Sequence, residues 1–227
     1  MLDESTSPAE GVRVSTAPSA SVSHQVVPRA RRDGERGGVF AGSAPLRQHP
    51  LRGGLKLRSL TVDDRHALGR TVDRCTPATR YARFHEALPS LPLGWARRIC
   101  QPGSGRVVVA AVVEAAGHVL ADDGGAALGA PYEDELVGIA QVEPAFGGAE
   151  LAVFVEDAYH RRGLGGLLVR AALTEAADGG IRVVKAHVLP GNDPIERLLT
   201  SLDLPVRAGH DDGKVCWTVE ISSLARA

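Results

Sequence analysis

The sequence has little net charge and few cysteines. Its 227 residues carry a formal net charge of −1, so no overall field favours nucleic acid or a membrane surface as a partner. The three cysteines, Cys75, Cys100 and Cys216, are odd in number, far apart and without a CxxC pair. This pattern argues against a disulfide framework or a zinc site and fits a reducing compartment. We therefore expect no bound metal.

Long apolar runs are also missing, and we expect no secretory leader. No run approaches the roughly 20 apolar residues that a transmembrane helix needs. The first residues, MLDESTSPAEG, are acidic and have no apolar core, unlike a secretory signal. The sequence accordingly predicts a soluble, cytoplasmic protein. A nucleotide-binding GxxxxGK[ST] loop is absent too, and no acid follows the glycines at a spacing that would hold a ribose.

Two stretches are predicted to lack regular structure. Residues 1–50 are rich in Ser, Pro, Ala, Gly and Arg and cannot bury enough surface to offset the entropy of ordering. We predict a disordered tail over 1–50 and one folded domain over 51–227. Residues 116–134, rich in Gly, Ala and acids, are predicted to form a long loop between two strands. The carboxylates of this loop either are solvated or attract a cationic ligand.

The most informative stretch is a strand, a glycine-rich turn and a helix. Residues 149–156 are mostly apolar, with β-branched and aromatic members, which predicts a buried strand. The segment 160–166, HRRGLGG, follows, and apolar residues then recur at helical spacing. A helix that begins on glycines beside arginines offers unpaired N–H groups and positive charge to a pyrophosphate. The alternative is an ordinary turn, which glycines also mark.

This stretch resembles the acetyl-CoA-binding motif of the GNAT superfamily of N-acetyltransferases. That motif is Gln or Arg, two residues, Gly, any residue, and Gly or Ala. Gly163 and Gly165 fill the two small positions, and His160 stands in place of Gln or Arg. The resemblance implies that acetyl-CoA is the co-substrate and that backbone amides of the turn hold its pyrophosphate. The implied ligands in the turn are His160, Arg161, Arg162, Gly163, Leu164, Gly165 and Gly166.

The other predicted elements agree with the fold of that family. Over about residues 55–221 the patterns predict the order β, α, α, β, β, β, α, β, α, β, β, with a further short helix at 93–100. This is an α/β domain with a mixed, mostly antiparallel sheet flanked by helices. The resemblance implies that a bulge in the strand before the turn splays the sheet at the cofactor. Backbone groups of Val153, Phe154 and Val155 would then bind the pantetheine arm, and the amide of Val155 or a neighbour would face the thioester oxygen.

The segment 76–84, TPATRYARF, carries a second resemblance. Bacterial protein-lysine acetyltransferases of the same superfamily have a similar Ser-Pro-x-Ser-x-Arg-Tyr-x-Arg-Phe stretch after the first helix. The residues themselves predict a helix with Thr76 as N-cap and Pro77 in its first turn. Tyr81 and Phe84 are equally well explained as core contacts at helical spacing. The resemblance adds a protein lysine to the candidate acceptors.

Transfer of an acetyl group to an amine needs a base, and Glu150 is the candidate. A Glu in a comparable Ala-Glu-Val/Ile-Ala-Phe context is the proposed base in the related lysine acetyltransferases. Partial burial within the apolar run would raise the pKa of Glu150, whereas the alternative is a strand-end carboxylate facing solvent. Glu143 and His187 are weaker candidates, because a histidine within a strand is more often a core residue.

Two further positions bear on how complete the site is. Asn192 matches an Asn with which many GNAT members bind the cofactor, and it also suits the N-cap of the next helix. The Tyr that often follows as acid to the CoA thiolate is replaced by Leu199, and the usual Gly near the helix end by Asp203-Leu204. We predict an N-acetyltransferase that acts on a primary amine of a small molecule or a protein lysine. The alternative is a degenerate CoA-binding module with a sensor or regulatory role.

Overall fold

The computed structural model describes residues 49–50, 54–101, 103, 105–114, 134–145, 148–211 and 213–225. All of them belong to the compact unit Gly38–Ala227. The predicted disordered tail at 1–50 lies outside the described residues except for its last two, and the predicted acidic loop at 116–134 lies outside them except for Asp134. None of the described helices is long and apolar enough to cross a membrane.

The described strands form one eight-stranded sheet in the order β1-β2-β3-β4-β5-β6-β8-β7. The strands are β1 (His49–Pro50), β2 (Leu55–Ser59), β3 (Val107–Val113), β4 (Glu135–Ala145), β5 (Gly148–Val155), β6 (Val183–Val188), β7 (Val206–Asp211) and β8 (Lys214–Glu220). The α-helices are α1 (Arg65–Arg74), α2 (Pro77–Phe84), α3 (Leu93–Cys100), α4 (Leu164–Asp178) and α5 (Asp193–Thr200). Every neighbouring pair of strands is antiparallel except β5 and β6. The predicted mixed, mostly antiparallel sheet is therefore confirmed.

Buried apolar side chains in the described residues form two clusters. One packs α4 against the sheet and includes Val109 and Ala111 of β3. The other packs α1, α2 and α3 against the sheet and includes Ala110 and Val112 of the same strand. Successive side chains of a strand point to opposite faces, so β3 serves both clusters. This explains why β3 is apolar throughout.

The sheet opens between β5 and β6. In the described residues these parallel strands pair at Ala149 with Val184 and at Glu150 with Lys185, and no further. We call the unpaired space beyond Glu150 the opening. It lies where the family resemblance predicts the cofactor.

The bulge predicted in β5 is wrong in its position. β4 and β5 pair in constant register from Gly138 with Val155 to Ala145 with Gly148. The register shift lies between β3 and β4, where Val137 of β4 is the extra residue. A bulge increases the local twist of a strand, and β5 follows β4 in register up to Val155. The sheet therefore opens beside β5 although β5 itself has no bulge against β4.

The far end of β5 is fastened to the junction of α1 and α2. Arg74 donates to Glu156 Oε2 from Nε at 3.0 Å and from a terminal nitrogen at 2.9 Å. Asp157 accepts from the Thr76 amide at 2.8 Å, the Thr76 hydroxyl at 2.9 Å and the Thr79 hydroxyl at 2.8 Å. Thr76 also caps α2 as predicted, by accepting a hydrogen bond from the Thr79 amide. The TPATRYARF segment thus holds one wall of the opening in place.

Candidate active site

The opening exposes backbone groups of β5. The Glu156 amide donates to the Val137 carbonyl of β4 at 2.8 Å. Residues of an antiparallel ladder alternate between facing the partner strand and facing away from it. Val153 and Val155 therefore turn their N–H and C=O groups towards β6, beyond the point where β6 pairs with β5. A strand edge of this kind can hydrogen-bond an extended ligand.

Phe154 does not share this orientation. Its backbone faces Ile139 of β4, and its ring is buried on the α1–α3 side with its centroid 6.4 Å from that of Phe84. The predicted backbone contact of Phe154 with the pantetheine arm is therefore corrected. The alternation along β5 leaves Val153 and Val155 as the residues whose backbone groups face the opening.

The turn between β5 and α4 leaves amides unpaired. Arg161 and Gly163 have left-handed backbones, with φ values of 58° and 76°. α4 begins at Leu164, and its first internal hydrogen bond runs from the Leu167 amide to the Gly163 carbonyl. The amides of Leu164, Gly165 and Gly166 thus have no partner within the helix. The dipole of this 15-residue helix adds partial positive charge at the same end.

The glycines of the turn have different roles. Gly163 adopts a backbone conformation that other residues rarely adopt. A Cβ on Gly165 would lie 3.1 Å from Leu198 of α5, so glycine lets α4 and α5 pack closely. A Cβ on Gly166 would meet nothing within 4 Å, because the space outside the first turn is open. Exposed Arg161 and Arg162 add positive charge, so the turn fits an anionic group such as a pyrophosphate.

His160 is bound to the end of β5. Its Nε2 lies 2.7 Å from the Val155 carbonyl oxygen. A carbonyl oxygen accepts and does not donate, so Nε2 carries the proton. One ring nitrogen, Nδ1, is then left for a ligand.

Asn192 and Leu199 differ in their access to a ligand. Asn192 precedes α5, but its side chain makes no capping hydrogen bond in the described structure. The predicted N-cap position of Asn192 is therefore confirmed, and its side-chain amide is left for another partner. Leu199 is 1 % exposed and belongs to the α4-side cluster, so position 199 is a core position. Asp203, at the usual glycine position, has a left-handed φ of 56°.

Glu150 lies beside His187 at the start of the opening. Its Oε1 is 3.4 Å from His187 Nδ1, and its side chain is 47 % exposed. This exposure agrees better with the solvent-facing alternative than with the predicted partial burial. Ala149 and Leu151 point to the face of the sheet that packs against α4, and Glu150 points to the opposite face. His187 is not the core residue that the sequence favoured, since its second ring nitrogen lies 3.6 Å from Asp211 Oδ2.

Glu143, the other candidate base, is occupied by neighbours. It pairs with Arg106 Nε at 3.1 Å and accepts from the Gln141 side-chain amide. The Gln141 oxygen in turn accepts from Arg83 of α2 at 3.1 Å. Burial lowers the pKa of Arg83, while Glu143 and Glu150 act against that shift. These contacts favour Glu150 over Glu143 as the base.

Neither this network nor His85 was predicted from the sequence. Burial lowers the pKa of His85, Lys214 and Arg83 act in the same direction, and Glu150 opposes them. His85 ends α2 with a left-handed φ of 56°. A signal was present in the sequence, because Gln141 and Glu143 are polar residues two apart in an otherwise apolar strand.

The chain is similar to known acetyltransferases in sequence pattern and in fold. Residues 100–203 match the acetyltransferase (GNAT) family. The structure is similar to the GNAT domain of S. lividans PAT, with a TM-score of 0.60 and 24 % identity over 78 % of this chain and 96 % of that one. No curated protein matches the chain by sequence.

Two other solved structures share the fold. RimL, a ribosomal L7/L12 alpha-N-protein acetyltransferase in complex with coenzyme A, has a TM-score of 0.52 and 13 % identity over 78 % of this chain and 99 % of that one. The ribosomal-protein-S18-alanine N-acetyltransferase from Escherichia coli has a TM-score of 0.50 and 16 % identity over 76 % of this chain and 96 % of that one. The family match spans the opening, the glycine turn and Asn192, and the solved structures share the fold of the described domain.

Proposed function

We propose that the protein is an acetyl-CoA-dependent N-acetyltransferase that acts on a primary amine. The observation that carries this proposal is the alignment of three features along one strand. β5 has a carboxylate at Glu150, backbone groups of Val153 and an amide of Val155 that β6 does not pair, and the unpaired amides of α4 beyond its far end. A strand rises about 3.3 Å per residue, so Glu150 and Val155 are roughly 17 Å apart along β5. An extended donor could therefore contact all three features at once.

The donor would be held by the chain at three points. Acetyl-CoA supplies the activated acetyl thioester. The amides of Leu164 to Gly166, with Arg161 and Arg162, bind its pyrophosphate, and Val153 and Val155 bind the pantetheine arm. The Val153 amide, which lies on the same edge of β5 and nearer to Glu150, donates to the thioester oxygen, where negative charge develops. The Asn192 side chain, which lacks a capping bond, adds a further polar contact.

The acceptor amine would approach Glu150 from the side of the sheet that carries α1, α2 and α3. The cluster formed by these helices includes no described residue of β6, β7 or β8, so the sheet surface next to Glu150 is not covered by it. Glu150 takes a proton from the amine, directly or through a water. The acceptor enters as an ammonium ion and loses one proton to Glu150. The nitrogen then forms a C–N bond, the C–S bond breaks, and the second nitrogen proton goes to the CoA thiolate, so the products are the amide, CoA thiol and one proton. A protein lysine is one acceptor, which the TPATRYARF resemblance favours.

The direct test measures release of CoA thiol with a panel of lysine peptides, peptide N-termini and small amines. We expect turnover with at least one class, and a fall of about 100-fold or more in kcat for Glu150→Gln, the usual scale of general base catalysis. Glu114→Gln is a matched control, because Glu114 is also exposed and is paired with a cation, Lys56, at 3.1 Å. Binding of CoA without turnover of any amine would overturn the proposal in favour of a CoA-binding module.

A further inference from the structure

His187 lies between two carboxylates that come from different strands. Its Nδ1 is 3.4 Å from Glu150 Oε1, and its Nε2 is 3.6 Å from Asp211 Oδ2. The register explains this placement. Glu150 pairs with Lys185, and His187 lies two residues further along β6 on the same face.

Asp211 reaches His187 across β8, which lies between β6 and β7 in the sheet. The β8 residue opposite His187 is Cys216, and the β7 residue opposite Cys216 is Gly209. Both are small, so no bulky side chain on this face separates the imidazole from the carboxylate. Asp211 itself lies two residues beyond Gly209 and shares its face.

The three side chains also differ in how far they are exposed to solvent. His187 is 25 % exposed, Glu150 is 47 % exposed and Asp211 is 69 % exposed. A path from Glu150 through His187 to Asp211 therefore ends at the most exposed of the three groups, in the hairpin between β7 and β8. The gap of 3.6 Å to Asp211 is slightly longer than a hydrogen bond, and a small side-chain rotation or a bridging water would close it.

We propose that His187 relays the proton of the acceptor amine from Glu150 to Asp211, an inference that rests on the proposed N-acetyltransferase activity. The proton taken by Glu150 passes to Nδ1 of His187, and the proton on Nε2 passes to Asp211. Asp211 gives that proton to solvent, and the ring returns to its first tautomer. No group gains or loses charge over the full cycle, and Glu150 is again a carboxylate for the next amine.

Other charged groups surround the relay and set the conditions for its pH dependence. They are Glu150 from β5, Asp211 from β7, Lys214 from β8, Lys185 on β6 itself, and His85 and Arg83 from α2 and its end. Replacement of His187 removes the group that links the two carboxylates but leaves these charges in place. Asp211→Asn interrupts the same path with the imidazole in place, so a change in the pH profile that both variants share is a property of the relay.

The test compares kcat, KM for acetyl-CoA and the pH profile of kcat in wild type, His187→Gln and Asp211→Asn. We expect His187→Gln to lower kcat about tenfold or more, to leave KM for acetyl-CoA unchanged and to alter the basic limb of the profile. Asp211→Asn should lower kcat less. The double variant should be no slower than His187→Gln, because the two residues act in one path. His210→Gln is the matched control, an exposed β7 histidine outside the path.

The outcomes separate the relay from the activity itself. Wild-type turnover with an unchanged kcat and pH profile in His187→Gln would overturn the relay and leave the acetyltransferase proposal intact. If His187→Gln does not fold, the exposed Asp211→Asn variant decides, and an unchanged profile there also overturns the relay. A wild-type protein that binds CoA but acetylates no amine would overturn both.

Discussion

The Nε2 atom of His160 lies 2.7 Å from the carbonyl oxygen of Val155. This bond joins the glycine turn to the end of the strand edge that borders the opening. It occupies the Val155 carbonyl and leaves the Val155 amide for a ligand. The histidine at a position where the family prefers Gln or Arg thus acts on the shape of the site as well as on its charge.

Loss of the His160 bond should weaken donor binding. His160→Ala removes a hydrogen bond worth about 1 kcal/mol, so we expect acetyl-CoA to bind roughly fivefold more weakly. His160→Gln retains a donor and should bind more tightly than His160→Ala. Calorimetric titration with CoA measures both, and equal affinity of His160→Ala and wild type would contradict the role of this bond.

Gly163 should resist substitution where Gly166 does not. Gly163 has a φ of 76°, whereas a Cβ on Gly166 would meet nothing within 4 Å. We expect Gly163→Ala to lower the free energy of unfolding by about 1–2 kcal/mol, because a left-handed backbone is strained for alanine. Gly166→Ala is the matched control and should leave the free energy of unfolding unchanged or raise it. Urea denaturation measures both, and equal losses would show that the backbone of Gly163 is not the cause.

Features that depend on neighbouring residues could be predicted from the sequence, whereas contacts between residues far apart in the chain could not. The Thr76 cap and the start of α4 follow from neighbouring residues and were predicted. The partner of Thr76, Asp157, is 81 residues away, and no local pattern points to it. Glu150 was expected to be partly buried because its neighbours are apolar, but its exposure depends on where β6 ceases to pair with β5. Lys185 and His187 alternate with apolar residues in β6, and this pattern did contain a signal for an exposed face.

Asp157 should make stability depend on pH. Burial raises the pKa of this carboxyl, but hydrogen bonds from Thr76 and Thr79 outweigh burial and hold the pKa below its usual 3.8. Because the pKa of Asp157 is lower in the folded than in the unfolded protein, its carboxylate stabilises the fold at pH values above the unfolded-state pKa. This stabilisation is lost as the pH falls through the folded-state pKa. Asp157→Asn should therefore lose less stability than wild type between about pH 5 and pH 3.

Thermal unfolding at a series of pH values measures the effect of Asp157. Asp73→Asn is the control, because Asp73 is an exposed carboxylate on α1. Its stability should follow the wild-type dependence on pH. If Asp157→Asn also follows the wild type throughout, the bonds to Thr76 and Thr79 contribute no pH-dependent stability.

The buried thiols should not react in the folded protein. Burial raises the pKa of Cys75 and of Cys100 to about 11, so about one molecule in a thousand carries either thiolate at pH 8. We expect a disulfide reagent to label these cysteines after unfolding and not before. Rapid labelling of Cys75 or Cys100 in the native protein would contradict this expectation. Slow labelling would also allow released CoA thiol to be followed with the same reagent.

The short pairing between β5 and β6 affects the stability of the sheet. Two residue pairs join a block of five strands to a block of three, so the backbone contributes little cohesion across this line. A donor that hydrogen-bonds the free edge of β5 would supply hydrogen bonds that β6 does not make to β5. Occupancy would then stabilise the folded state by mass action, and thermal resistance becomes a readout of binding that needs no acceptor.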